Sequence, residues 1–438
     1  MFGTPMRDVI VIGGGPAGST AATLLAQRGL SVTLLERERF PRFQIGESLL
    51  PYNNDLFERL GLADQLDQGD FVPKFGAYFV TGDGSVEYSF RFDKRLHDPY
   101  RRSYQVKRAE FDHLLLKNAA AKGVEVREET SVTSVDLSDP NRAVVRCEVT
   151  GSRGRGETPQ PRDPLTLEAR FVIDASGHGA VVGSRVGAKS DIAALKKIAF
   201  FAHYRGVPRP EGRDGGSTVI VVLRNAWFWL IPVTADVMSV GLVVDREHVL
   251  RCGLEPQELL DETIASSPWL AERMKDAERI TQIYARKDFS FRMKNMVGPN
   301  YALIGDAAGF IDPIFSTGVF MAMKSADLAA EAVASKLREG SMAKLERYER
   351  DMSRGLDRYL RFIEHFYRRE FLEVFLQPSE RWGLLNAIVG VLAGNIFQTR
   401  ENRIRLALFF ALVKLQKWPG VIAPRIRWEA LPAAAAKL

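Results

Sequence analysis

Lys74 stands in surroundings that do not suit a solvated ammonium group. Its segment, FVPKFGAYF at residues 71–79, is apolar and aromatic on both sides of the lysine. Most lysines lie on the surface, where water hydrates their charge. A lysine placed in an apolar passage has a lowered pKa, and its amine can serve as a hydrogen-bond donor or a nucleophile. Lys74 is therefore the first candidate for a catalytic side chain.

A second candidate site is the run GDAAGFIDPIFSTG at residues 305–318, which precedes a predicted helix. Successive backbone N–H groups at a helix N-terminus form an anion-binding nest without needing a cationic side chain. The same residues also suit an ordinary helix start with Ser316 or Thr317 as the N-cap, and the two interpretations are compatible. We assign the anion contacts to the backbone of Thr317 and Gly318.

A third segment, WFWLIP at residues 227–232, places Trp227 and Trp229 two residues apart in a run that is typical of a strand. Aromatic side chains with a period of two most often fill the core beneath a sheet. The residue types alone therefore leave open whether the two tryptophans fill a core or shape a reaction site.

The clearest motif is the glycine loop GGGPAG at residues 13–18, which follows the buried strand DVIVI. Gly13 permits the tight turn, Gly15 lets a pyrophosphate approach the backbone, and Gly18 allows close helix–strand packing. The helix behind the loop offers free N–H groups to the phosphates, and Glu36 ends the next strand, where a carboxylate accepts from ribose hydroxyls. Strand, helix, second strand and acid agree, so we predict dinucleotide binding. The predicted contacts are Gly13, Gly15, Ala17, Gly18 and Glu36.

Two later motifs extend the nucleotide site. DASG at residues 174–177 follows a buried strand, and Gly305-Asp306 follows YALI. Taken alone, each motif is typical of an ordinary turn that follows a strand. Together with the glycine loop they resemble the three nucleotide motifs of the flavoprotein monooxygenase superfamily. That resemblance implies FAD rather than NAD, with Asp306 bonded to the ribityl chain and Arg108, in VKRAEFD, beside the cofactor.

Within that superfamily, the segments around Lys74, Trp227 and Thr317 resemble the flavin-dependent halogenases. WFWLIP resembles their GWxWxIP signature, with Ala226 in place of the first glycine. The resemblance implies that Trp227, Trp229 and Pro232 crowd the space near the flavin and hinder ordinary monooxygenation. It also implies that Lys74 is the essential lysine that holds hypohalous acid or forms a haloamine.

Two more features carry the same resemblance. GESLLP at residues 46–51 is similar to a family segment near the flavin, which makes Ser48 a predicted cofactor contact. The Ser/Thr-Gly pair of the family binds halide beside the isoalloxazine, which makes chloride or bromide the anion expected at Thr317 and Gly318. No metal is predicted, since the two cysteines and six histidines show no ligand spacing.

The reaction implied by the resemblance is halogenation of an electron-rich aromatic ring, a phenol or a pyrrole, free or tethered to an acyl or peptidyl carrier protein. Reduced FAD from a separate flavin reductase, O₂ and halide would give hypohalous acid, which Lys74 directs to the ring. We find no segment that matches the substrate carboxylate site of the indole branch, which puts free tryptophan in doubt. The alternatives are an aromatic hydroxylase or a prenyl-type reductase of the same superfamily and, from another class, a non-catalytic flavin-binding or membrane-attached scaffold.

The elements that must position these residues form an α/β fold. A Rossmann-like FAD-binding domain is interleaved with a β-sheet substrate domain, and a helical C-terminal region follows. The βαβ unit at residues 8–36 and the strand at 171–175 belong to the first, and the β-branched and aromatic stretch 198–244 to the second. The predicted boundaries are 1–190 for the FAD-binding domain, with substrate-domain strands at about 72–106, then 191–290 for the substrate sheet, 291–340 for the return to the FAD-binding domain, and 341–438 for the helical region.

Composition and charge narrow the function classes. The chain has 438 residues and a formal charge of +6, with its Lys and Arg dispersed, so no nucleic-acid partner is predicted. The N-terminus runs straight into a strand with no signal-peptide pattern, which predicts a cytoplasmic protein. The longest apolar run, residues 382–397, is shorter than the roughly 18 residues of a membrane span, so no membrane association is predicted.

The C-terminal stretch 403–428 mixes Leu, Phe and Trp with Arg and Lys. It predicts a helix that covers the substrate entrance, with an interfacial amphipathic helix as the alternative. Its cations could also receive an acidic carrier protein. His365 lies in an aromatic stretch where a substrate could bind, but the sequence does not identify a general base. Residues 152–163 have the composition of an exposed loop at a hairpin tip.

Overall fold

The structure is a computed structural model that describes residues 6–149, 164–187, 189–192, 195–287, 290–396, 400–418 and 420–426. The exposed loop predicted at residues 152–163 lies outside the described residues. The strands, in chain order, are β1 (Arg7–Ile12), β2 (Val32–Leu35), β3 (Val72–Lys74), β4 (Gly76–Thr81), β5 (Glu87–Arg91), β6 (Ser103–Gln105), β7 (Glu125–Arg127), β8 (Thr130–Asp139), β9 (Arg142–Val149), β10 (Leu165–Asp174), β11 (Lys189–Asp191), β12 (Lys197–Arg205), β13 (Thr218–Val222), β14 (Ala226–Pro232), β15 (Val237–Asp245), β16 (Glu278–Arg279), β17 (Tyr284–Lys287), β18 (Phe291–Met293), β19 (Tyr301–Leu303) and β20 (Gly309–Phe310).

The α-helices connect and cover these strands, and they make up most of the chain after residue 316. In chain order they are α1 (Pro16–Ala26), α2 (Asn54–Leu60), α3 (Ala63–Gln68), α4 (Phe92–Arg95), α5 (Arg108–Ala121), α6 (Gly183–Val186), α7 (Arg246–Cys252), α8 (Pro256–Ala265), α9 (Pro268–Met274), α10 (Thr317–Glu339), α11 (Ala343–Phe366), α12 (Arg369–Leu376), α13 (Leu384–Leu392) and α14 (Arg400–Leu415).

The first sheet is the nucleotide-binding sheet. Its parallel part has the order β7-β2-β1-β10, and β19 pairs with β10 in the same direction. β1 and β2 are apolar along almost their whole length because helices cover both faces of a parallel sheet. β9 and β8 extend it as an antiparallel hairpin on the N-terminal half of β10. The strand ends of β1, β2, β10 and β19 therefore place residues 13–18, 36, 174–177 and 305–306 at one edge.

The second sheet has the order β16-β12-β15-β14-β13-β4-β5, and β17 also pairs with β12. Alternation along β14 sends Trp227, Trp229 and Ile231 into the core shared with the nucleotide-binding sheet. The intervening Phe228 and Leu230 enter a separate core that α8 and α9 cover. Because both faces of β14 are buried, the whole strand is apolar. Residue type alone therefore did not indicate which face lies toward the site.

The helices after residue 316 cover the junction of the two sheets. α10 is rich in alanine, which allows it to pack closely along α1, and it ends at Gly340 in the left-handed conformation with φ +75°. α11 buries one stripe against this layer, and α12, α13 and α14 pack beyond it. The predicted fold class, a Rossmann-like part interleaved with a β-sheet part and followed by helices, is confirmed. The predicted domain boundaries remain predictions.

Candidate active site

The glycine loop has a geometry that only glycine allows at two positions. Gly13 has φ +102°, and a Cβ there would lie 2.5 Å from the carbonyl oxygen of Ala175. A Cβ on Gly18 would lie 1.8 Å from the carbonyl oxygen of Gly13. Loop, helix α1 and strand β10 therefore pack backbone against backbone, which is the close approach that a pyrophosphate-binding turn requires.

The N-terminus of α1 is available to an anion. Gly15 is its N-cap and has no side chain that could accept a hydrogen bond from the first turn. The first N–H groups of α1 are therefore without a side-chain acceptor and are free to bind an anion. Glu36 is 5% exposed and accepts hydrogen bonds from the backbone N–H of Gly14 (2.7 Å) and Glu38 (2.9 Å). Each carboxylate oxygen keeps a lone pair for a ribose hydroxyl. These residues fit FAD, and Ala17, buried in the first turn, lines the same end of the helix.

Arg108 organises the neighbouring segment. Its guanidinium binds Asp112 through two hydrogen bonds, of 2.7 and 2.9 Å, and also donates to the carbonyl oxygen of Ile45 at 2.5 Å. A Cβ on Gly46 would lie 3.0 Å from this guanidinium and 3.9 Å from the side chain of Val319 in α10. Because the pKa of Arg108 is raised by the Asp112 carboxylate despite its burial, the guanidinium is a fixed cation that clamps residues 45–46 against the start of α10.

The two later nucleotide motifs behave differently. Asp174 is fully buried, and its carboxylate accepts from the backbone N–H groups of Ser176, Val182 and Gly183, so it holds its own turn together. Asp306 is half-buried, and its carboxylate lies 3.4 Å from Nδ1 of His178. The Asp306 carboxylate is thus the one of the two that is left open toward the predicted ribityl position, and His178 is a neighbour that the sequence did not reveal.

Lys74 is 1% exposed, at the end of the short strand β3. Its Nζ donates to Oγ of Ser48 at 2.7 Å and to the carbonyl oxygen of Leu49 at 3.1 Å, and the Phe92 ring centroid lies 5.7 Å away. Burial lowers the pKa of Lys74 to about 7. A neutral amine that spends both N–H groups on Ser48 and Leu49 keeps its lone pair free for an electrophile.

The hydroxyl of Ser48 continues a buried polar chain. It lies 2.8 Å from Oγ1 of Thr218 at the start of β13, and Nε2 of Gln105 donates to that same oxygen at 3.0 Å. Ser48 was predicted as a cofactor contact. In the structure it also orients the Lys74 amine, and residues 45–49 connect Arg108, the first turn of α10 and Lys74 in one short segment.

The predicted halide loop is built around Asp312. Thr317 begins α10 and is buried, while Ser316 before it adopts the left-handed conformation with φ +55° and makes no side-chain cap. Ser316 is thus the N-cap residue of α10, as the sequence allowed, but its side chain makes no cap hydrogen bond. Instead, Oδ1 of Asp312 accepts from the Ile314 N–H at 3.0 Å and shapes the turn. The α10 N-terminus, with Thr317 and Gly318, is left without a side-chain cap, as an anion-binding nest requires.

A hydrogen-bond chain joins this loop to the WFWLIP strand. Nε1 of Trp227 donates to the hydroxyl of Tyr367 at 3.0 Å, and that hydroxyl donates to Oδ2 of Asp312 at 3.0 Å. Burial raises the pKa of Asp312 to about 6. Tyr367 directly follows α11, two residues beyond His365, the histidine noted in the sequence. His365 itself bonds the Arg361 carbonyl oxygen and contacts Phe410, so the tyrosine is the residue of this stretch that reaches the site.

The second tryptophan is held by its own sheet. Nε1 of Trp229 donates to Oγ of Ser239 on β15 at 3.2 Å, and a Cβ on Gly241 would lie 2.2 Å from the indole ring. The two indole centroids are 6.0 Å apart. Pro232 ends β14 beside Met238, so all three signature residues lie on one strand, and Trp227 is the one that contacts the halide loop through Tyr367.

A buried carboxylate at the same place was missed. Glu47, between Gly46 and Ser48, is 2% exposed, and its Oε1 lies 2.7 Å from Nε2 of His203 on β12. Among the described residues, its Oε2 has no hydrogen-bond partner. The GES pattern pointed to this segment, but the pairing with a histidine 156 positions later leaves no signal in the sequence.

Two further features of the described residues concern cofactor and membrane. No group of three or more His, Cys, Asp or Glu side chains within them is arranged to hold a metal ion. None of the helices in that part of the chain combines the length and the apolar character of a membrane span.

Fold and site together define a nucleotide-binding α/β protein with a buried lysine on β3, an α10 N-terminus without a side-chain cap, and a strand β14 that bears two tryptophans. The family described as FAD binding domain matches residues 6–362. A brominase of 1H-pyrrole-2-carbonyl-(peptidyl-carrier protein) from Pseudoalteromonas luteoviolacea is 33% identical over 353 residues, covering 80% of this chain and 82% of the relative. The chain belongs to the flavin-dependent halogenases and is an FAD-dependent enzyme of that family.

Two more comparisons agree. A chlorinase of 1H-pyrrole-2-carbonyl-(peptidyl-carrier protein) from Pseudomonas fluorescens is 28% identical over 421 residues, covering 91% of each chain. The solved structure of the flavin-dependent brominase Bmp2 superposes with a TM-score of 0.83 at 28% identity, covering 94% of this chain and all of that one. The prediction of an FAD-dependent halogenase is confirmed over the hydroxylase and reductase alternatives.

Proposed function

We propose that this enzyme halogenates an electron-rich aromatic ring, a pyrrole carried on a peptidyl carrier protein, and that Lys74 delivers the halogen. The observation that carries the proposal is the Lys74 amine, fully buried, with a pKa lowered to about 7 and both hydrogen-bond partners fixed. Burial of a lysine is costly, and the nearest acceptors are a hydroxyl and a carbonyl rather than a carboxylate, so charge neutralisation does not explain it. A reactive amine does.

The chain's own residues divide the work. When bound, reduced FAD supplies the activation of oxygen that oxidises the halide. The backbone at Thr317 and Gly318 holds the halide at the uncapped start of α10. Lys74 then either donates a hydrogen bond from its ammonium to hypohalous acid, or attacks the halogen with its free lone pair, so that an N–halogen bond forms as the halogen–oxygen bond breaks and water leaves. In either form the halogen passes to a ring carbon, which loses its proton.

The cofactor contacts of this proposal are the predicted ones. Gly13, Gly15 and Gly18 bring the backbone to the pyrophosphate, and Glu36 accepts from ribose. On the flavin side, Asp306 is open toward the ribityl chain, while Arg108 and Ser48 fix residues 45–49 beside the ring. Trp227 and Trp229 fill the space from which a hydroxylation substrate would approach, which favours transfer through Lys74.

The substrate class is supported by the names of the relatives, since both the chlorinase and the brominase act on 1H-pyrrole-2-carbonyl groups on a peptidyl carrier protein. A pyrrole ring is electron-rich and small, in keeping with the aromatic side chains that crowd the helix layer above the halide loop. Phe315 of that loop lies within 6.4 Å, centroid to centroid, of Phe366 and Phe375. A separate flavin reductase as the source of reduced FAD, and a cytoplasmic location, remain predictions from the sequence.

The test is a reconstituted reaction. The enzyme is incubated with FAD, a flavin reductase, NADH, O₂ and chloride or bromide, with a carrier protein loaded with pyrrole-2-carboxylate and, separately, with free phenols and pyrroles. Mass spectrometry follows the halogen isotope pattern. Lys74→Met is run beside Lys122→Met, in which an exposed lysine at the end of α5 is changed in the same way.

Halogenated carrier-bound pyrrole from the parent and Lys122→Met, but not from Lys74→Met, is the expected result. Halogenation of free phenols alone would overturn the substrate class. A hydroxylated product that does not depend on halide would overturn the role of Lys74 in halogen transfer.

A further inference from the structure

The outward side of α14 carries an apolar stripe that no described residue covers. Ile404 is 62% exposed and Trp418, just past the helix, 67%; Leu415 and Leu408 are 44% and 37% exposed. Together with exposed Ala411, the three residues within the helix follow the spacing i, i+4, i+7, i+11, which places them on one side of α14. Trp418 lies in the turn that follows the helix. We call this set the α14 outer face: Ile404, Leu408, Ala411, Leu415 and Trp418.

The opposite side of α14 already serves the core. Leu406, Phe409, Phe410 and Val413 are buried. The rings of Phe409 and Phe410 contact those of Phe362 on α11 and Phe371 on α12. The helix is thus apolar on two sides, whereas a surface helix needs only one apolar stripe to hold its place. Exposed apolar area of this kind marks a contact surface.

The charges around the α14 outer face have one sign. Residues 400–418 include five Arg or Lys and a single carboxylate, Glu401, which is paired with Arg405. Arg400, Arg403, Lys414 and Lys417 are exposed beside the apolar stripe. A partner that matches this surface presents apolar side chains within an acidic rim, since such complementarity steers association and fixes register.

The surface lies next to a cavity. A cavity of about 290 Å³ opens between β5, α4 and α13, lined by Arg91, Lys94 and Leu385 among others. The residue after Arg91 is Phe92, whose ring faces the Lys74 amine. On the other side, Glu380 lines the cavity and pairs with Arg95, and nearby Trp382 is 64% exposed.

The cavity rim also touches α14. A Cβ on Gly383 would lie 2.9 Å from Nε of Arg405, so the segment that carries Glu380 and Trp382 packs against the first half of this helix. The segment that carries Glu380 and Trp382 therefore joins the cavity to α14, and the α14 outer face and the cavity belong to neighbouring parts of one surface.

We propose that the α14 outer face, with its flanking cations, is the docking surface for the acidic face of the carrier protein that delivers the substrate. This inference rests on the proposed function, which supplies the carrier-bound substrate. A second copy of the chain is a poorer occupant, because two such faces would bring like charges together. The cavity beside this face could receive a group that a protein partner carries, whereas a lipid surface would bring nothing to that opening.

The experiment compares two substrates with two charge-reversed variants. Lys414→Glu/Lys417→Glu changes the docking surface, and Lys117→Glu/Lys122→Glu makes the same charge change on α5 of the nucleotide-binding part, where both lysines are exposed. Each enzyme halogenates carrier-bound pyrrole-2-carboxylate and, separately, a free small-molecule pyrrole. All side chains changed are exposed, so folding is preserved.

We expect Lys414→Glu/Lys417→Glu to lower kcat/KM for the carrier-bound ring about tenfold or more at low salt, chiefly through KM, and to leave its turnover of the free pyrrole unchanged. The α5 variant should turn over both substrates as the parent does. Leu408→Glu should have the same selectivity at all salt concentrations. If the parent halogenates the free pyrrole but not the carrier-bound one, the proposed substrate class fails and the docking surface with it.

Three other results would overturn the docking surface alone. One is carrier turnover that is equal in both charge-reversed variants. Another is a dimer in sedimentation that Trp418→Ala abolishes, which would assign the surface to a second copy. The third is binding to vesicles of anionic phospholipid that Lys414→Glu/Lys417→Glu abolishes while carrier turnover stays intact.

Discussion

The cofactor end and the halogen-transfer end of this site are built in opposite ways. At the glycine loop, the important contacts are between backbone atoms, and most of the partners lie within one βαβ unit. Glycine is needed there because any side chain would clash with the backbone. At Lys74, by contrast, side chains from β3, β6 and β13 meet residues 45–49, and the Asp312–Tyr367–Trp227 chain spans 140 positions. The first end fixes shape at little cost, whereas the second places an amine where water cannot reach it.

This contrast has an energetic meaning. Gly18 is required by the fold and the cofactor together, because helix, loop and strand occupy the space of any side chain there. Lys74 has the chemical role that we propose for it, and the fold opposes its presence, because burial of its charge is unfavourable. Mutations at the two ends should therefore separate stability from activity, and the following predictions follow that separation from the largest effect to the smallest.

The largest effect is expected from Gly18→Ala. Its methyl group would lie 1.8 Å from the Gly13 carbonyl oxygen, and neither backbone can retreat without opening the turn. We expect loss of FAD binding and of all activity, with a destabilisation of about 4 kcal/mol or more. Flavin absorbance after gel filtration and urea denaturation measure both quantities.

The matched control is Gly123→Ala, where φ is +90° but no atom lies within 4 Å of the new Cβ. It should cost about 1 kcal/mol of backbone strain and retain FAD. FAD bound by Gly18→Ala at the parent stoichiometry would show that the close packing of the loop is dispensable.

Lys74→Met should separate the two properties. Halogenation should fall by about 100-fold or more, because no other described side chain is placed to transfer the halogen. FAD should remain bound, and the unfolding free energy should rise by about 1–3 kcal/mol at pH 6, because the buried ammonium is gone. A variant that loses FAD, or that is less stable than the parent at this pH, would mean that the lysine is a structural member of the site.

The pH dependence of stability sharpens the same point. Burial lowers the folded pKa of Lys74 to about 7, whereas an unfolded chain has a lysine pKa of about 10.4. Between these values the unfolded chain binds a proton that the folded chain does not, so the stability of the parent rises with pH there. The advantage of Lys74→Met is therefore expected to be largest below pH 7 and to shrink by about 1.4 kcal/mol per unit above it. Urea denaturation at pH 6, 7, 8 and 9 measures this difference, and a constant advantage would contradict burial of the charge.

The cofactor end was largely predictable from the sequence because its determinants are local. The βαβ unit, the glycine loop and Glu36 lie within 30 residues, and each follows from a steric or dipolar requirement that a motif records. The second sheet was predictable from its β-branched and aromatic stretches. Lys74 was predictable as a buried lysine because the flanking residues are apolar for three positions on either side.

The rest of the site depends on tertiary contacts that no local pattern encodes. Asp312 lies in an apolar run, Tyr367 is followed by Arg368 and Arg369, and nothing in either segment indicates that the two residues bond each other. The pairing of Glu47 with His203 joins a loop to the second sheet. Likewise the helix periodicity of α14 predicted a buried face, but only the packing on Phe362 shows which of its two apolar sides is used.

Tyr367→Phe tests one of these non-local links with a moderate effect. It removes the hydroxyl that bonds Asp312 and accepts from Trp227, which leaves a buried indole N–H without its acceptor. We expect a destabilisation of about 1–3 kcal/mol and a rise of several-fold, on the order of threefold to tenfold, in the KM for chloride, since Asp312 shapes the turn before Thr317. The control is Tyr359→Phe on α11, the helix that ends just before Tyr367. The Tyr359 hydroxyl has no hydrogen-bond partner among the described residues and should be dispensable. Equal effects of the two changes would show that the Tyr367 hydroxyl does not influence halide binding.

The smallest effect is expected from Ser239→Ala, which asks whether the two tryptophans of one strand have the same role. Ser239 accepts from Nε1 of Trp229 at 3.2 Å, and its loss leaves one buried donor unpaired, at a cost of about 1 kcal/mol. The Trp229 ring is buried and packs directly on Gly241, where a Cβ would lie 2.2 Å from the indole, so we expect it to keep its orientation. Halogenation should therefore stay within about twofold of the parent while the midpoint of urea denaturation falls slightly. If Ser239→Ala raised the KM for chloride as far as Tyr367→Phe does, Trp229 would need its hydrogen bond as much as Trp227 does. The strand would then affect the reaction through both indoles rather than through Trp227 alone.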